Sequence, residues 1–525
     1  MHRALLLNEL LLQILQVLRE DDIHALAVLA RTRRSFSQPA LEILWESLDD
    51  PSPIIKLFPD DSWTVAYDPY NRKLCIEFIR LLRPVDWVTP LKYLPLIKRL
   101  GLENASPWAY TSSYMSSQAL QYLSIFRPVL AILPNLRVLN LNLTSYVAAA
   151  NQAKYFQYSW AFLGPELRSF TFRSVTPSLE IEEQKSLARL LYALEHACPL
   201  LEEIRSSCGC PPGRIISDAF SSLVSRLENL RVLECFDMPL NARMKSALGK
   251  KKTLYHFHLS LLRQEHSRHV WDSSWFQSLE TMKIRTDDPQ SYVSFANSVS
   301  LSRVHSFILQ IRTPLTQGLM QQLFSSIHRQ LSDSPLSTFE LSYEVAAVEV
   351  SNDPLVILLS QHLQELLIFR HLEAVEISGP WCIQINDNIL RQMAFAWPNL
   401  RRLYVYHNDW CISKDQELHP HATLQGIVGF AQNCLQLHSL IVELHADGSM
   451  LPEIVLPQPS RCPLQDFTVC CSTISSKTEV AAFLSRLFPS LTSIDASDRY
   501  GEPEDSQWMK DWSDVDRAVR ITQMI

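Results

Sequence analysis

A short unit of the form L-x-x-L-x-L, often introduced by a proline, recurs along most of this 525-residue chain. It reads LPLIKRLGL at 94–102, LPNLRVLNL at 133–141, CPLLEEI at 198–204, LENLRVL at 227–233 and FQSLETMKI at 276–284. It returns as RHLEAVEI at 370–377, WPNLRRLYV at 397–405, CPLQDFTV at 462–469 and FPSLTSI at 488–494. One early apolar position anchors each unit: Ile97, Leu136, Leu167, Leu201, Leu230, Leu254, Leu279, Val304, Leu336, Leu372, Leu400, Leu437, Leu464 and Leu491. Successive anchors are 24 to 39 residues apart, averaging about 30, the period of an array of supersecondary units.

The stretches between units carry helical stripes. Leu187, Leu190, Leu191 and Leu194 lead to Cys198-Pro199; Ile389, Met393, Ala394 and Ala396 lead to Pro398; Ala481, Phe483, Leu484 and Leu487 lead to Pro489. In each, spacing of three to four gives way within three residues of the proline to strand-like alternation. A lone strand of this kind cannot bury its inner side, so successive units must stack. The pattern resembles irregular, helix-rich leucine-rich-repeat arrays over about 90–500. The asparagine or cysteine customary after the strand is mostly replaced, Asn408 after Val405 being the best fit. The resemblance predicts an α/β fold: a curved solenoid over 91–500, with strands on its concave face and helices outside.

The first fifty residues follow another rule. Apolar residues at 7, 10, 11, 14, 15 and 18 keep helical spacing, with Asn8, Glu9, Gln13 and Gln16 between them. Those polar interruptions, and Arg19-Glu20-Asp21-Asp22 where a cleavage site would stand, argue for an amphipathic helix rather than a signal peptide. A second helix is expected after Asp21-Asp22, and a third with Ser37 as cap, Pro39 in the first turn and Leu41, Leu44, Trp45 and Leu48 as its stripe. Fifty residues make a small core, yet the leucines cover several faces, so part of this surface is expected to dock against another body.

This segment resembles an F-box, the module that binds the Skp adaptor of cullin-based ubiquitin ligases. The family pattern, L-P-x-E-I-L-x-x-I-x-x-x-L followed by an acidic pair, an apolar helix, R-x-F and a closing L-W, falls on Leu6 to Leu11, Ile14, Leu18, Asp21, Leu26, Leu29, Arg33 or Arg34, Phe36, Leu44 and Trp45. The family's proline two places before Glu9 is Leu7 here. The resemblance implies adaptor contacts from Leu7, Asn8, Leu10, Leu11, Ile14, Leu18, Leu26, Leu44 and Trp45, and through the adaptor a cullin.

Four parts follow: an F-box-like three-helix module over 1–50, a linker and solenoid cap over 51–90, the repeats over 91–500 and a helical cap over 501–525. In the second part, Leu74, Ile76, Phe78, Ile79, Leu81 and Leu82 predict a helix covering the first repeat. In the last, Trp508, Trp512, Val515, Ala518 and Ile521 have helical spacing.

Composition removes several function classes. Only 11 residues are glycine, and no GxGxxG, GxxxxGK[ST] or GxSxG occurs, which excludes the common phosphate-loop and nucleophile-elbow signatures. The net charge of −7 comes without a long basic tract, so nucleic acid is not an expected partner. No run of eighteen apolar residues suggests a membrane span. The 11 cysteines lack zinc-ligand spacing and read as free thiols in a reducing compartment, cytoplasmic or nuclear. His256 and His258 share one side of a predicted strand but come without a third ligand, and they read as surface or hydrogen-bonded groups. Glu182-Glu183, Glu202-Glu203 and Asp287-Asp288 read as solvated turns or helix faces. No catalytic residue, cofactor or metal is assigned.

The working face is expected on the strands, at positions between the core leucines. Arg137 and Asn140, Lys283 and Arg285, and Arg401, Tyr404 and Tyr406 are the substrate-binding candidates, since arginine and tyrosine are favoured interface anchors. The whole then reads as a non-catalytic substrate receptor of a Skp–cullin–F-box ubiquitin ligase that holds a protein substrate. The alternative is an interaction scaffold whose opening helices merely cap the repeats.

Overall fold

In the computed structural model, one small device closes the helix of successive repeats. Leu136, Leu201, Leu400 and Leu491 each donate their amide to the carbonyl three residues back, on Leu133, Cys198, Trp397 and Phe488, at 3.1 to 3.3 Å. Pro134, Pro199, Pro398 and Pro489 stand second in these turns, where a fixed φ is preorganised and no amide is required. The residue after each leucine then bonds back to the preceding repeat. Arg168 donates to Arg137, Glu202 to Arg168 and Arg231 to Glu202; farther on, Ser337 donates to His305, Glu373 to Ser337 and Arg401 to Glu373. Each turn thus delivers its strand already paired.

The structure describes residues 8–68, 73–101, 113–143, 149–174, 179–207, 213–235, 240–261, 271–344, 356–407, 421–448, 451, 460–470, 472–496 and 507–524. Among them no helix is long and apolar enough to cross a membrane. The chain divides into two compact units, Met1–Leu254 and Tyr255–Ile525.

The first unit opens with three helices, α1 (Asn8–Asp21), α2 (Ile23–Thr32) and α3 (Arg34–Glu46), which run into β1 (Ser47–Leu48) and α4 (Ser52–Ile55). Next come β2 (Trp63–Asp68), β3 (Lys73–Phe78), α5 (Pro90–Tyr93), β4 (Arg99–Leu100), β5 (Ser113–Met115) and α6 (Ser117–Ile125). Strands and helices then alternate: β6 (Val138–Leu143), α7 (Ala149–Tyr158), β7 (Ser169–Ser174), α8 (Ile181–Ala197), β8 (Glu203–Ser207), α9 (Arg214–Arg226), β9 (Val232–Cys235) and α10 (Ala242–Gly249). The main sheet has the order β1-β4-β6-β7-β8-β9, all parallel. Its register places Leu100, Leu139, Phe170, Ile204 and Leu233 in one ladder of buried side chains. Each stands three residues beyond a repeat anchor, from Ile97 to Leu230.

Two local expectations are corrected here. Residues 74–78 belong to a strand and not to a helix: β3 pairs antiparallel with β2 and parallel with β5. Ile76 and Phe78 point into the core, an alternation that a partner strand stabilises. The third helix also starts earlier than Ser37, because the amides of Phe36 and Ser37 both reach the Arg33 carbonyl at 3.0 Å. Pro39 therefore sits inside α3, just beyond its first turn, where few helical bonds are lost.

The second unit repeats the plan with β10 (His256–Leu261), β11 (Thr281–Thr286), α11 (Pro289–Ala296), β12 (Ser306–Ile311), α12 (Gln317–Leu331) and β13 (Thr338–Tyr343). It continues with β14 (Ile357–Leu359), α13 (Ser360–Gln364), β15 (Ala374–Gly379), β16 (Cys382–Gln384), α14 (Asp387–Ala396), β17 (Arg402–His407) and α15 (Leu424–Asn433). The last elements are β18 (Ser439–Val442), β19 (Ala446–Asp447), β20 (Asp466–Thr468), β21 (Ile474–Ser475), α16 (Lys477–Leu487), β22 (Ser493–Asp495) and α17 (Gln507–Met524). The parallel sheet runs β10-β11-β12-β13-β15-β17-β18-β20-β22, beside the small pairs β14-β16 and β19-β21.

One buried ladder crosses it: Phe257, Met282, Phe307, Phe339, Val375, Leu403, Leu440, Phe467 and Ile494. The rings of Phe307 and Phe339 stack at 6.3 Å. At the far end α17 packs on α16 and β22, burying Trp512, Val515 and Val519 while Ile521 stays exposed. The Trp512 indole donates to the Ser472 carbonyl at 2.9 Å, and the Asp516 carboxylate accepts the Ile494 amide at 2.8 Å. That last bond satisfies an amide of the terminal strand, which would otherwise be an open edge.

Candidate functional site

The opening module builds its core from few residues. Leu11, Leu15, Leu26, Ala30, Ala40 and Ile43 are buried together, with Leu18, Leu29, Phe36, Leu41 and Leu44 packed against them. Asp22 caps α2, accepting the amides of His24 and Ala25 at 2.9 and 3.1 Å. A satisfied core leaves other apolar residues outside. Leu10, Ile14 and Val17 are exposed by 39, 41 and 58%, and their spacing puts them on one face of α1. Leu12, Ile23 and Val28 are exposed too.

The nine adaptor-contact candidates therefore separate. Leu10 and Ile14 lie on the open face. Leu11 and Leu26, by contrast, are core residues, 4 and 0% exposed, which corrects their assignment to an outward surface. Leu18 and Leu44 are half-buried against that core. Trp45 is half-buried, its ring tilted on Tyr93 with centroids 5.3 Å apart. Asn8 begins α1, and Leu7 lies outside the described residues. Val17, Ile23 and Val28 were missed by motif matching. Val17 had a signal, since it extends the Leu10–Ile14 spacing by a further turn.

The module is also fixed to the repeats of its own unit. Beta-strand β1 pairs with β4, the Glu46 carbonyl accepts the Lys98 amide at 2.8 Å, and the Glu46 carboxylate meets Lys98 Nζ at 3.1 Å.

On the sheets, residues alternating with the buried ladder form the open face. In the first unit, Arg137 is exposed at the start of β6. Asn140 is not a surface group: it is 7% exposed and its Nδ2 donates to the Gly101 carbonyl at 3.1 Å. Gly101 has φ +90°, and a Cβ there would stand 2.1 Å from the Asn140 carbonyl oxygen, so glycine is required. Asn140 thus serves the fold where a binding role was expected. Its neighbour across the ladder is Thr171, followed by Arg205, which bonds Glu203 and Glu234 at 2.6 and 3.0 Å.

In the second unit, register fixes two rows on the side opposite the ladder, of which Ser260, Ser378 and Ile441 are buried and the rest are partly open. His258, Lys283, Ile308, Glu340, Glu376, Tyr404, Ile441 and Thr468 make one; Ser260, Arg285, Gln310, Ser342, Ser378 and Tyr406 make the other. Lys283, Arg285, Tyr404 and Tyr406 are brought into these rows and are half-buried. Arg285 is engaged by Glu344 through Nε at 2.9 Å and Nη2 at 3.0 Å. The Tyr404 hydroxyl donates to Ser439 at 3.1 Å, and that of Tyr406 to Glu376 at 3.2 Å. Arg401 lies just before β17, exposed, 3.4 Å from Glu373 and 3.2 Å from Gln436. Glu340 and Glu376 face each other in register, a like-charge pair that costs stability and that Ser342 and Tyr406 moderate by donating to them. Glu340, Glu376 and Ile308 escaped the sequence reading, although strand alternation alone could have found them; Ile441, in the same row, is buried.

The His256 and His258 side chains meet on the open side of β10, Nε2 to Nε2 at 2.9 Å. Cys198, Cys434 and Cys462 are buried thiols outside any disulfide. Burial pushes the Cys198 and Cys434 thiols up to about 12 and that of Cys462 to about 11, which keeps them protonated and poorly nucleophilic.

No protein-family model matches the chain, and no curated protein matches it. Among solved structures the chain is similar to one from the crystal structure of the Rad7 and Elc1 complex in yeast, with 14% identity and a TM-score of 0.31, over 77% of this chain and 79% of that one. It is also similar to a chain of the LRIM1/APL1C complex, with 10% identity and a TM-score of 0.25, over 88% of this chain and 74% of that one.

Proposed function

We propose that this chain is a non-catalytic substrate receptor of a Skp–cullin–F-box ubiquitin ligase, working in the cytoplasm or nucleus. The opening module docks a Skp-family adaptor, and through it a cullin, while the open face of the repeats holds a protein substrate. The observation that carries the reading is the row Leu10–Ile14–Val17, apolar and exposed on a helix whose core is already supplied by Leu11 and Leu15. Residues of this kind in a helix row are what a partner's groove takes up. On this reading the chain performs no bond chemistry of its own. It contributes proximity, raising the effective concentration of an acceptor amine near the ubiquitin thioester. The joint at β1 and β4 supports that role, since a stiff connection keeps the held substrate within reach.

The test uses the exposed row and leaves the core intact. Full-length wild type and Ile14→Glu/Val17→Glu are compared for binding to a purified Skp-family adaptor. Wild type should bind, and the variant should bind at least about tenfold more weakly, the scale of losing central interface anchors, with an unchanged melting curve. A folded wild-type chain that binds no adaptor sinks the proposal.

That outcome would favour the second reading, an interaction scaffold unconnected to a ligase. It has its own observation: through β1 and Glu46 the opening helices close one end of the first unit's sheet, as a capping element must.

A further inference from the structure

We propose that His256 and His258 form a chelating site for one divalent transition-metal ion of the imidazole-preferring class. The two residues alternate on β10, so both rings leave the same side of the sheet, and both are half-buried. Their centroids are 4.7 Å apart and their Nε2 atoms 2.9 Å apart. With metal–nitrogen bonds of about 2.05 Å, a right-angle bite needs nitrogens about 2.9 Å apart, and a tetrahedral bite about 3.3 Å. The observed separation meets the first, and a small rotation of either ring reaches the second. The support is stiff: Phe257 and Leu259, on the other side of the strand, are 0% exposed, and β10 is paired with β11 along its whole length. Little ordering remains to be done when an ion arrives.

Two imidazoles select the ion by chemistry. Nitrogen donors suit Ni2+, Cu2+ and Zn2+, while Mg2+ and Ca2+ prefer oxygen. One neighbour opposes binding: Lys283 stands beside His258 in register, and an ammonium there repels a dication. Its removal should tighten the site, which a fortuitous contact between two rings would not predict.

Isothermal titration of the reduced, full-length chain with Ni2+, and with Mg2+ as control, tests this. Wild type should take up one more equivalent of Ni2+ than His256→Ala/His258→Ala, with no Mg2+ counterpart, and Lys283→Ala should bind a few-fold more tightly. Equal Ni2+ stoichiometry in wild type and the double variant overturns the proposal, as does weaker binding by Lys283→Ala. Should the double variant lose its melting transition, His256→Asn and His258→Asn singly carry the same comparison, each expected to abolish the extra equivalent.

Discussion

The opening module and the open face of the repeats both present side chains outward, but they treat them differently. On α1, Leu10, Ile14 and Val17 stand exposed with nothing in the module to answer them. On the second unit's sheet, outward groups answer one another: Arg285 holds Glu344, Tyr406 donates to Glu376 and Tyr404 to Ser439. The first surface loses free energy to water until it is covered, and its pattern is narrow. The second is already satisfied, so a partner must compete with existing bonds and gains mainly through fit and charge. An adaptor site is therefore readable from exposure alone. A substrate site requires knowing which outward groups the fold has already taken.

The difference can be broken by substitution, most heavily in the cores. Phe307→Ala removes a fully buried ring stacked on Phe339, and about 3–5 kcal/mol of stability should go with it. Urea denaturation would show it as a lower midpoint; a loss below about 1 kcal/mol would mean that the ladder relaxes around the cavity. Leu26→Ala should cost about 2–5 kcal/mol. Hydrogen exchange should place that loss in residues 8–48, where the shared core lies. Protection lost equally in the second unit would contradict a module with its own core. On the open face, Tyr406→Phe deletes one hydroxyl bond to Glu376 and should cost about 1 kcal/mol. A larger effect, read by the same denaturation, would show that the Glu340–Glu376 pair depends on that donor.

Much of this architecture was legible because it is written locally. The anchors from Leu279 to Leu491 each precede by three residues the side chain that enters the ladder, and at Leu279, Leu372, Leu400, Leu437 and Leu491 a turn of fixed length, closed by the anchor amide on the carbonyl three residues back, leads into the strand. The Asp22 cap was legible for the same reason: an acidic residue beside orphan amides acts within one turn. What failed depends on distant chain. Leu74, Ile76 and Phe78 alternate as a strand does, yet only pairing with Trp63–Asp68 decides the matter. Asn140 alternates outward, and what withdraws it is a carbonyl at Gly101. The family pattern marks Leu11 and Leu26 beside Leu10 and Ile14 without saying which face each takes, and helix packing settles that. Arg285 looked available because its partner, Glu344, lies 59 residues away.

The smallest effect expected separates the two regions by titration. The module's core contains only Leu, Ala, Ile and Phe side chains, so mild acid has nothing there to charge. The second unit buries His362 at 0% exposure, stacked on Phe324 at 5.6 Å. Its Nδ1 accepts the Leu359 amide at 3.0 Å, and its Nε2 has no partner. Burial lowers its pKa from the usual 6.5, because the charged imidazolium would lose its hydration there. The folded state therefore keeps this imidazole neutral where the unfolded chain begins to protonate it. Stability is complete above about pH 6.5 and declines as the pH falls from there toward the lowered folded value. Between pH 7.5 and 5.5 the wild-type melting temperature should drop further than that of His362→Gln, which keeps an acceptor but takes up no proton. Parallel drops would assign the acid sensitivity to other groups. A matching loss of protection in residues 8–48 would remove the distinction between an apolar module and a repeat array that carries titratable groups inside it.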